Sequence, residues 1–225
     1  ALEQCLHINQ NWHTPHWVRL FSSNEPRPIN FEAMTGVYQL QEHLFNAFVE
    51  KQCIILDNSE LYWPSAKIIN QSIQNALHCL TGCNMYATPP QSRAFETHID
   101  KHDVLVLQTH GVRTWNLYEV DIPMPMQNNH VSAALKPLLK NKTPDYGEPI
   151  RQVQLYPGDL LYLPRGVPHS TTMSDGAVMH MTFGLYPLRR YELMTGLVQL
   201  LADKNIDLRH RVPQTICGFA EELPP

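Results

Sequence analysis

His98 and Asp100 stand two residues apart in residues 95–118, FETHIDKHDVLVLQTHGVRTWNLY. On a β-strand, side chains at i and i+2 leave the same face, so this imidazole and this carboxylate can meet at one ion. A second histidine from elsewhere would complete the two-histidine, one-carboxylate set that grips non-haem Fe(II) on one side and leaves other positions open. The candidate is His169. It lies in residues 155–171, LYPGDLLYLPRGVPHST, where a Pro157-Gly158-Asp159 turn starts an apolar run and Pro164-Arg165-Gly166 breaks it just before the histidine. Alone, His98-Ile99-Asp100 is equally an ordinary surface pair. The strand and turn that deliver His169 tip the reading towards a metal site.

A basic residue follows the pair. If the strand after Val112 alternates, Arg113 shares a face with Trp115 and Leu117, which puts a charge where an apolar side chain would suit. A buried guanidinium without a partner is costly. Two arrangements relieve that cost: a salt bridge, for example to Asp159 or Glu96, or a carboxylate ligand, and the second is favoured here. His180, on a predicted strand beside Thr182, has two readings, one of them towards the same pocket. His102, His110, His130 and His210 read as surface or turn residues.

The elements that must position these groups are bounded first by composition. A chain of 225 residues that is 43% hydrophobic can bury one sizeable core with appendages. A net charge of −4 offers no positive reservoir for phosphates, which argues against direct nucleic-acid binding and favours a basic peptide as partner. Five cysteines without a C-x-x-C pair argue against a disulfide framework and a zinc ribbon, and point to a reducing cytoplasm, or a nucleus in a eukaryotic cell. No run approaches a membrane span.

Residues 1–82 read as an irregular and helical flank. Residues 1–35 show no sustained period and are expected to be an irregular lead-in. Val37, Leu40, Leu44, Phe45, Phe48 and Val49 recur at helical steps, and Cys53-Ile54-Ile55-Leu56 reads as a buried strand with Cys53 as a small core residue. A second helix is expected after Pro64, capped by Ser65, with Ile68, Ile69, Ile73, Ala76, Leu77 and Leu80 inward, and ended by Thr81-Gly82. Residues 83–187 read as seven strands, at 83–88, 95–100, 103–109, 112–119, 151–156, 159–163 and 177–185. That spacing indicates a mainly β jelly roll. Residues 121–149 are expected to form a loop insertion with a short helix around 131–140. Residues 188–225 return to helix, with Leu193, Met194, Leu197, Val198 and Leu201 on one face, a stripe expected to bury against a second copy of the chain.

These motifs together resemble the JmjC-type cupins known as ribosomal oxygenases. The resemblance is carried by NMYATPP at 84–90, the His98-Ile99-Asp100 segment, the turn before His169 and HMTFGLYP at 180–187, in that order. It implies a double-stranded β-helix, Fe(II), 2-oxoglutarate as cosubstrate, O2, and hydroxylation of a protein side chain. It transfers iron binding to His98, Asp100 and His169, and the grip on the far carboxylate of 2-oxoglutarate to Arg113. Asn84 matches a polar residue lining the cosubstrate pocket. The implied substrate is a histidine or arginine β-carbon in a ribosomal or other basic protein. A peptide-tailoring hydroxylase, a lysine demethylase and a metal-binding cupin without turnover stand beside that reading. The resemblance also implies a helical dimerisation region, of which residues 188–225 are the beginning, and then a winged-helix domain.

Overall fold

A computed structural model of the chain describes residues 18–22, 25–28, 37–92, 96–120, 123–125 and 146–210. Among these residues, ten strands and three α-helices follow in chain order: β1 (Val18–Ser22), β2 (Glu25–Pro28), α1 (Val37–Val49), β3 (Cys53–Leu56), α2 (Pro64–Leu77), β4 (Leu80–Thr88), β5 (Asp103–His110), β6 (Arg113–Leu117), β7 (Arg151–Leu155), β8 (Leu160–Leu163), β9 (His169–Thr171), β10 (Val178–Tyr186) and α3 (Arg190–Lys204). The first compact unit ends at Tyr186 and the second comprises residues 187–225. The expected helix at 131–140 lies outside the described residues. Among those described, no helix is long and apolar enough to cross a membrane.

Every strand pairs antiparallel, in a seven-stranded sheet ordered β2-β1-β3-β4-β10-β5-β8 and a three-stranded sheet ordered β7-β6-β9. The two sheets form the expected mainly β jelly roll. Its central strands invert the usual polarity of a half-buried sheet. Alternation in β4 and β10 sends Cys83, Met85, Met181, Phe183 and Leu185 into a core that also takes Leu40, Leu44 and Ala47 of α1 and Ala66 of α2. Each such large side chain contributes about 1.5–3 kcal/mol by leaving water. The intervening residues, Asn84, Tyr86, His180, Thr182 and Gly184, line a cavity instead. A smaller core of Val104, Val106, Trp115, Leu155 and Leu163 gathers residues of both sheets.

Several expectations are corrected. Residues read as an irregular lead-in contain β1 and β2, and β1 pairs with β3 as Arg19↔Ile55 and Leu20↔Ile54. The prolines that hid them, Pro26 and Pro28, sit on β2, the sheet edge, where a missing N–H costs least. Residues 95–100 make no strand among those described; His98 forms only a single bridge, to His169. β9 was not anticipated, because three residues after a proline carry no periodicity.

A further correction concerns the second helix. Its N-cap is Trp63 with Pro64 following, not Ser65, and it ends at His78 in the left-handed region, so that Thr81 and Gly82 belong to β4. Its inward face is Ala66 and Asn70, with Ile69 and Ile73 partly buried, while Ile68, Leu77 and Leu80 are exposed. Asn70 can face inward because the Thr81 hydroxyl donates to its amide oxygen at 2.6 Å. On α1, Leu40 and Leu44 are buried as expected, but Phe45 and Val49 face solvent.

Candidate active site

The single bridge between His98 and His169 supplies what a strand was expected to. Each backbone N–H donates to the other's carbonyl, at 3.1 and 2.9 Å, which brings the ring centroids to 4.4 Å. Asp100 is fixed by the turn it faces: the Gly166 N–H donates to the Asp100 carbonyl at 2.9 Å, and Gly166 holds φ 85, a left-handed value that a side chain would strain. The result is one cluster. Ligand atoms of His98, Asp100 and His169 lie within 4.8 Å of one another, with His169 Nε2 and Asp100 Oδ2 at 3.7 Å. Among the described residues this is the one group of three or more such side chains that could hold a metal ion.

The histidine tautomers follow from their outer partners. His98 Nδ1 faces the Glu96 carbonyl at 2.9 Å and His169 Nδ1 faces the Val167 carbonyl at 3.0 Å. A carbonyl only accepts, so both Nδ1 atoms carry the proton and both Nε2 atoms present a lone pair. Burial first, and then the nearby His98, hold His169 below its ordinary pKa, so it is neutral at pH 7. The donor set suits a divalent ion such as Fe(II).

Arg113, on β6, is 1% exposed. Its Nη2 donates to the Thr171 hydroxyl at 2.6 Å, while Nε and Nη1 have no partner. Among the described residues no carboxylate lies within 4 Å of it; Asp159, a salt-bridge candidate from the sequence, instead accepts the Tyr156 N–H within its own turn. Burial lowers the Arg113 pKa, the response of a cation short of negative charge. Its unpartnered Nη1, beside the Thr171-bound Nη2, can meet a carboxylate end-on.

His180 and Asn84 both line the cavity, which encloses about 340 Å³ and also includes Tyr86, Trp115, Thr171 and the three clustered residues. His180 stacks on Tyr86, centroids 4.8 Å apart, and meets Trp115 edge-on at 5.5 Å, while its Nδ1 has no partner. A register shift between Met179 and His180 on the β5 side marks an irregularity of the kind that re-aims side chains beside active sites. Asn84 is partly committed, since its side-chain oxygen accepts the Asn58 N–H at 3.0 Å. Tyr86, Trp115, Thr171 and Arg19 were missed in the sequence. Tyr86 is legible afterwards as the second inward residue of the NMYA segment, and Arg19 was hidden with β1.

Burial, and after it Arg113, pushes the His180 pKa down to about 3. Unfolded histidine titrates near 6.5, so the unfolded chain binds the extra proton between those values and stability is lost as pH falls from about 6.5 towards 3. His180→Phe keeps the stacking and removes the titration. Urea midpoints are therefore expected to show the wild type losing ground to His180→Phe by about 1.4 kcal/mol per pH unit below 6.5. A difference that stays constant from pH 7 to 4 would show that His180 is not a buried neutral imidazole.

Comparison with known proteins places this geometry among relatives. The JmjC domain profile matches residues 60–193. The bifunctional lysine-specific demethylase and histidyl-hydroxylase NO66 of Culex quinquefasciatus is 34% identical over 178 residues, 76% of this chain and 26% of the relative. Ribosomal oxygenase 1 of Homo sapiens is 31% identical over 153 residues, 65% of this chain and 23% of the relative. Among solved structures, the ribosomal oxygenase YcfD of Escherichia coli in complex with cobalt and 2-oxoglutarate superposes with a TM-score of 0.53 at 18% identity, covering 93% of this chain and 48% of that one. The chain thus spans about a quarter of the length of these curated relatives and about half of the solved one.

Proposed function

Because the chain belongs to the JmjC domain family, we propose that it is an Fe(II)- and 2-oxoglutarate-dependent oxygenase that hydroxylates an amino-acid side chain, a histidine or arginine β-carbon, in a ribosomal or other basic protein. The observation that carries this reading is the buried Arg113, with two N–H groups lacking partners, in the same barrel as a His98, Asp100 and His169 cluster whose Nε2 lone pairs are free. His98, Asp100 and His169 would hold the iron. Arg113 would hold the far carboxylate of 2-oxoglutarate, and Thr171, which accepts from Arg113 Nη2, keeps its own hydroxyl proton to donate beside it. His169 stands opposite Leu117 in the small sheet, and Arg113 lies four residues back along that strand. This is about 13 Å of strand rise, a span that an arginine side chain and a five-carbon diacid can fill between them.

When bound, the iron, 2-oxoglutarate and O2 supply the oxidising chemistry, in which the cosubstrate leaves as succinate and CO2 and one oxygen atom enters a substrate C–H bond. The chain's own residues do the positioning. Tyr86, Trp115 and His180 would wall the cosubstrate with aromatic surface, and at pH 7 all three are uncharged, since burial holds Tyr86 up to about 12 and His180 down to about 3. The buried Cys53 is a thiol and no nucleophile, because burial pushes it up to about 11. No protein general base is required, and the buried end of the pocket, walled by Tyr86, Trp115 and His180, keeps bulk water from the cosubstrate.

The relative named a lysine-specific demethylase as well as a histidyl-hydroxylase makes demethylation the second reading, since the same site would serve an N-methyl group. One experiment separates them. Ribosomal proteins and methylated histone peptides are incubated with the protein, Fe(II), 2-oxoglutarate and air, then mapped by mass spectrometry. A gain of one oxygen on a histidine or arginine is expected. Loss of a methyl group without oxygen gain would replace hydroxylation by demethylation, and neither change, with 2-oxoglutarate left unconsumed, would refute both.

A further inference from the structure

Three rungs cross the inner face of the large sheet at the cavity. His180 faces Tyr86 and Gln108, Thr182 faces Asn84 and Val106, and Gly184 faces Gly82 and Val104. The first rung is the closed end, where His180 is 4% exposed and Arg113 lies nearby. The third is the open end, next to Tyr186, which is 40% exposed. Two glycines side by side leave Val104 as the one side chain of that rung, and all three residues line the cavity. The space over Gly184 is taken by Tyr186, two residues along the same strand, and by His102, while the space over Gly82 opens towards Glu60. A Cβ on Gly184 would stand 2.9 Å from the Tyr186 hydroxyl and 3.3 Å from His102 Cε1, and one on Gly82 would stand 3.8 Å from Glu60 Oε1.

Charge at this recess is one-sided. Arg19, the cation lining the same cavity, is locked to Asp57 by two hydrogen bonds, the longer at 2.6 Å. Glu60 has no such counterpart. One of its oxygens accepts the Cys83 N–H at 2.9 Å, and among the described residues no basic side chain lies within 4 Å of it. Burial first, then Asp100 and Glu60, raise the Tyr186 phenol above its ordinary range, so Tyr186 stays a protonated donor beside both carboxylates.

We propose that the Gly82–Gly184 recess is the slot for the substrate side chain, and that Glu60 and Tyr186 make it select an arginine. The inference rests on the oxygenase reading and specifies its substrate. A guanidinium is planar, lies flat on an aromatic ring, and carries enough N–H groups to meet Glu60 without stripping it from Cys83. Neutral histidine has one N–H to offer and no charge. Gly184 is needed because the Tyr186 ring folds back over it, and Gly82 because its missing side chain leaves the approach to Glu60 open.

The test measures binding, independently of turnover. Three fluorescein-labelled nonapeptides, alike except for a central arginine, citrulline or histidine, are titrated at pH 7.5 against the protein loaded with Mn(II) and 2-oxoglutarate, and anisotropy is read. The arginine peptide is expected to bind at least tenfold tighter than the other two. In Glu60→Gln, whose amide oxygen still accepts the Cys83 N–H, that preference should shrink to below threefold. Equal binding of arginine and citrulline by the wild type, tighter binding of histidine, or an arginine preference undiminished in Glu60→Gln would each overturn the assignment. Failure of the oxygenase reading would look different: unconsumed 2-oxoglutarate under Fe(II) and air, whatever the peptide ratios.

Discussion

Asp100→Ala is expected to abolish 2-oxoglutarate consumption and leave the fold intact. Its carboxylate is the single anionic donor of the cluster, and losing it leaves two neutral imidazoles that hold a divalent ion far more weakly. Even outer partners of metal ligands are worth about 10–100-fold in affinity or activity, so removal of a ligand itself should exceed a hundredfold. The fold has little stake in this side chain. Asp100 belongs to no core cluster, and it is its backbone carbonyl, not its carboxylate, that receives the Gly166 N–H. Rates by succinate formation and melting by circular dichroism measure the two halves. Turnover at the wild-type rate would remove Asp100 from the ligand set.

The second large effect is at Arg113, and it runs in opposite directions for binding and stability. Free of ligand, the protein buries a guanidinium with two unpartnered N–H groups, an arrangement destabilising in itself. Arg113→Met, similar in length and apolar, relieves that cost, so its thermal midpoint without ligand is expected to lie above the wild type's. The ligand should then reverse the order. Loss of a buried charge-assisted pair costs on the order of 2–5 kcal/mol, or roughly thirty- to several-thousand-fold in 2-oxoglutarate affinity. With Mn(II) in place of Fe(II), 2-oxoglutarate at about a hundred times its Kd should stabilise the wild type by about 2.7 kcal/mol and the variant hardly at all. Equal stabilisation of both by 2-oxoglutarate would mean that Arg113 does not receive the carboxylate.

The site was more legible in the sequence than the scaffold that holds it. His98, Asp100 and His169 declare themselves by residue type, and the Pro164-Arg165-Gly166 turn explains why His169 arrives where it does. The premise that placed His98 and Asp100 together, a strand, was replaced by one bridge and a turn with the same outcome. Arg113 could be read because a charge in an alternating apolar run has few explanations. Its lack of a carboxylate partner could not, because that depends on what the rest of the barrel leaves nearby.

Where the sequence misled, burial was decided by tertiary contacts that periodicity does not carry. Leu77 and Leu80 continue the apolar period of the second helix, yet His78 ends that helix and Leu80 opens β4 facing outward. Asn70 looks like a surface residue and is buried because Thr81 satisfies it. Tyr86 and Thr171 were invisible as site residues for a related reason: each sits on a strand whose inward face is the polar one, the reverse of the usual assumption.

The central claim is that one small site holds Fe(II) and 2-oxoglutarate together, and an anaerobic visible-absorbance titration tests it most directly. Adding 2-oxoglutarate to the Fe(II)-loaded protein should produce a charge-transfer band that saturates at one equivalent of each, and that is absent when Asp100 is replaced by alanine. A protein fully loaded with Fe(II) that gives no band with excess 2-oxoglutarate would contradict the account.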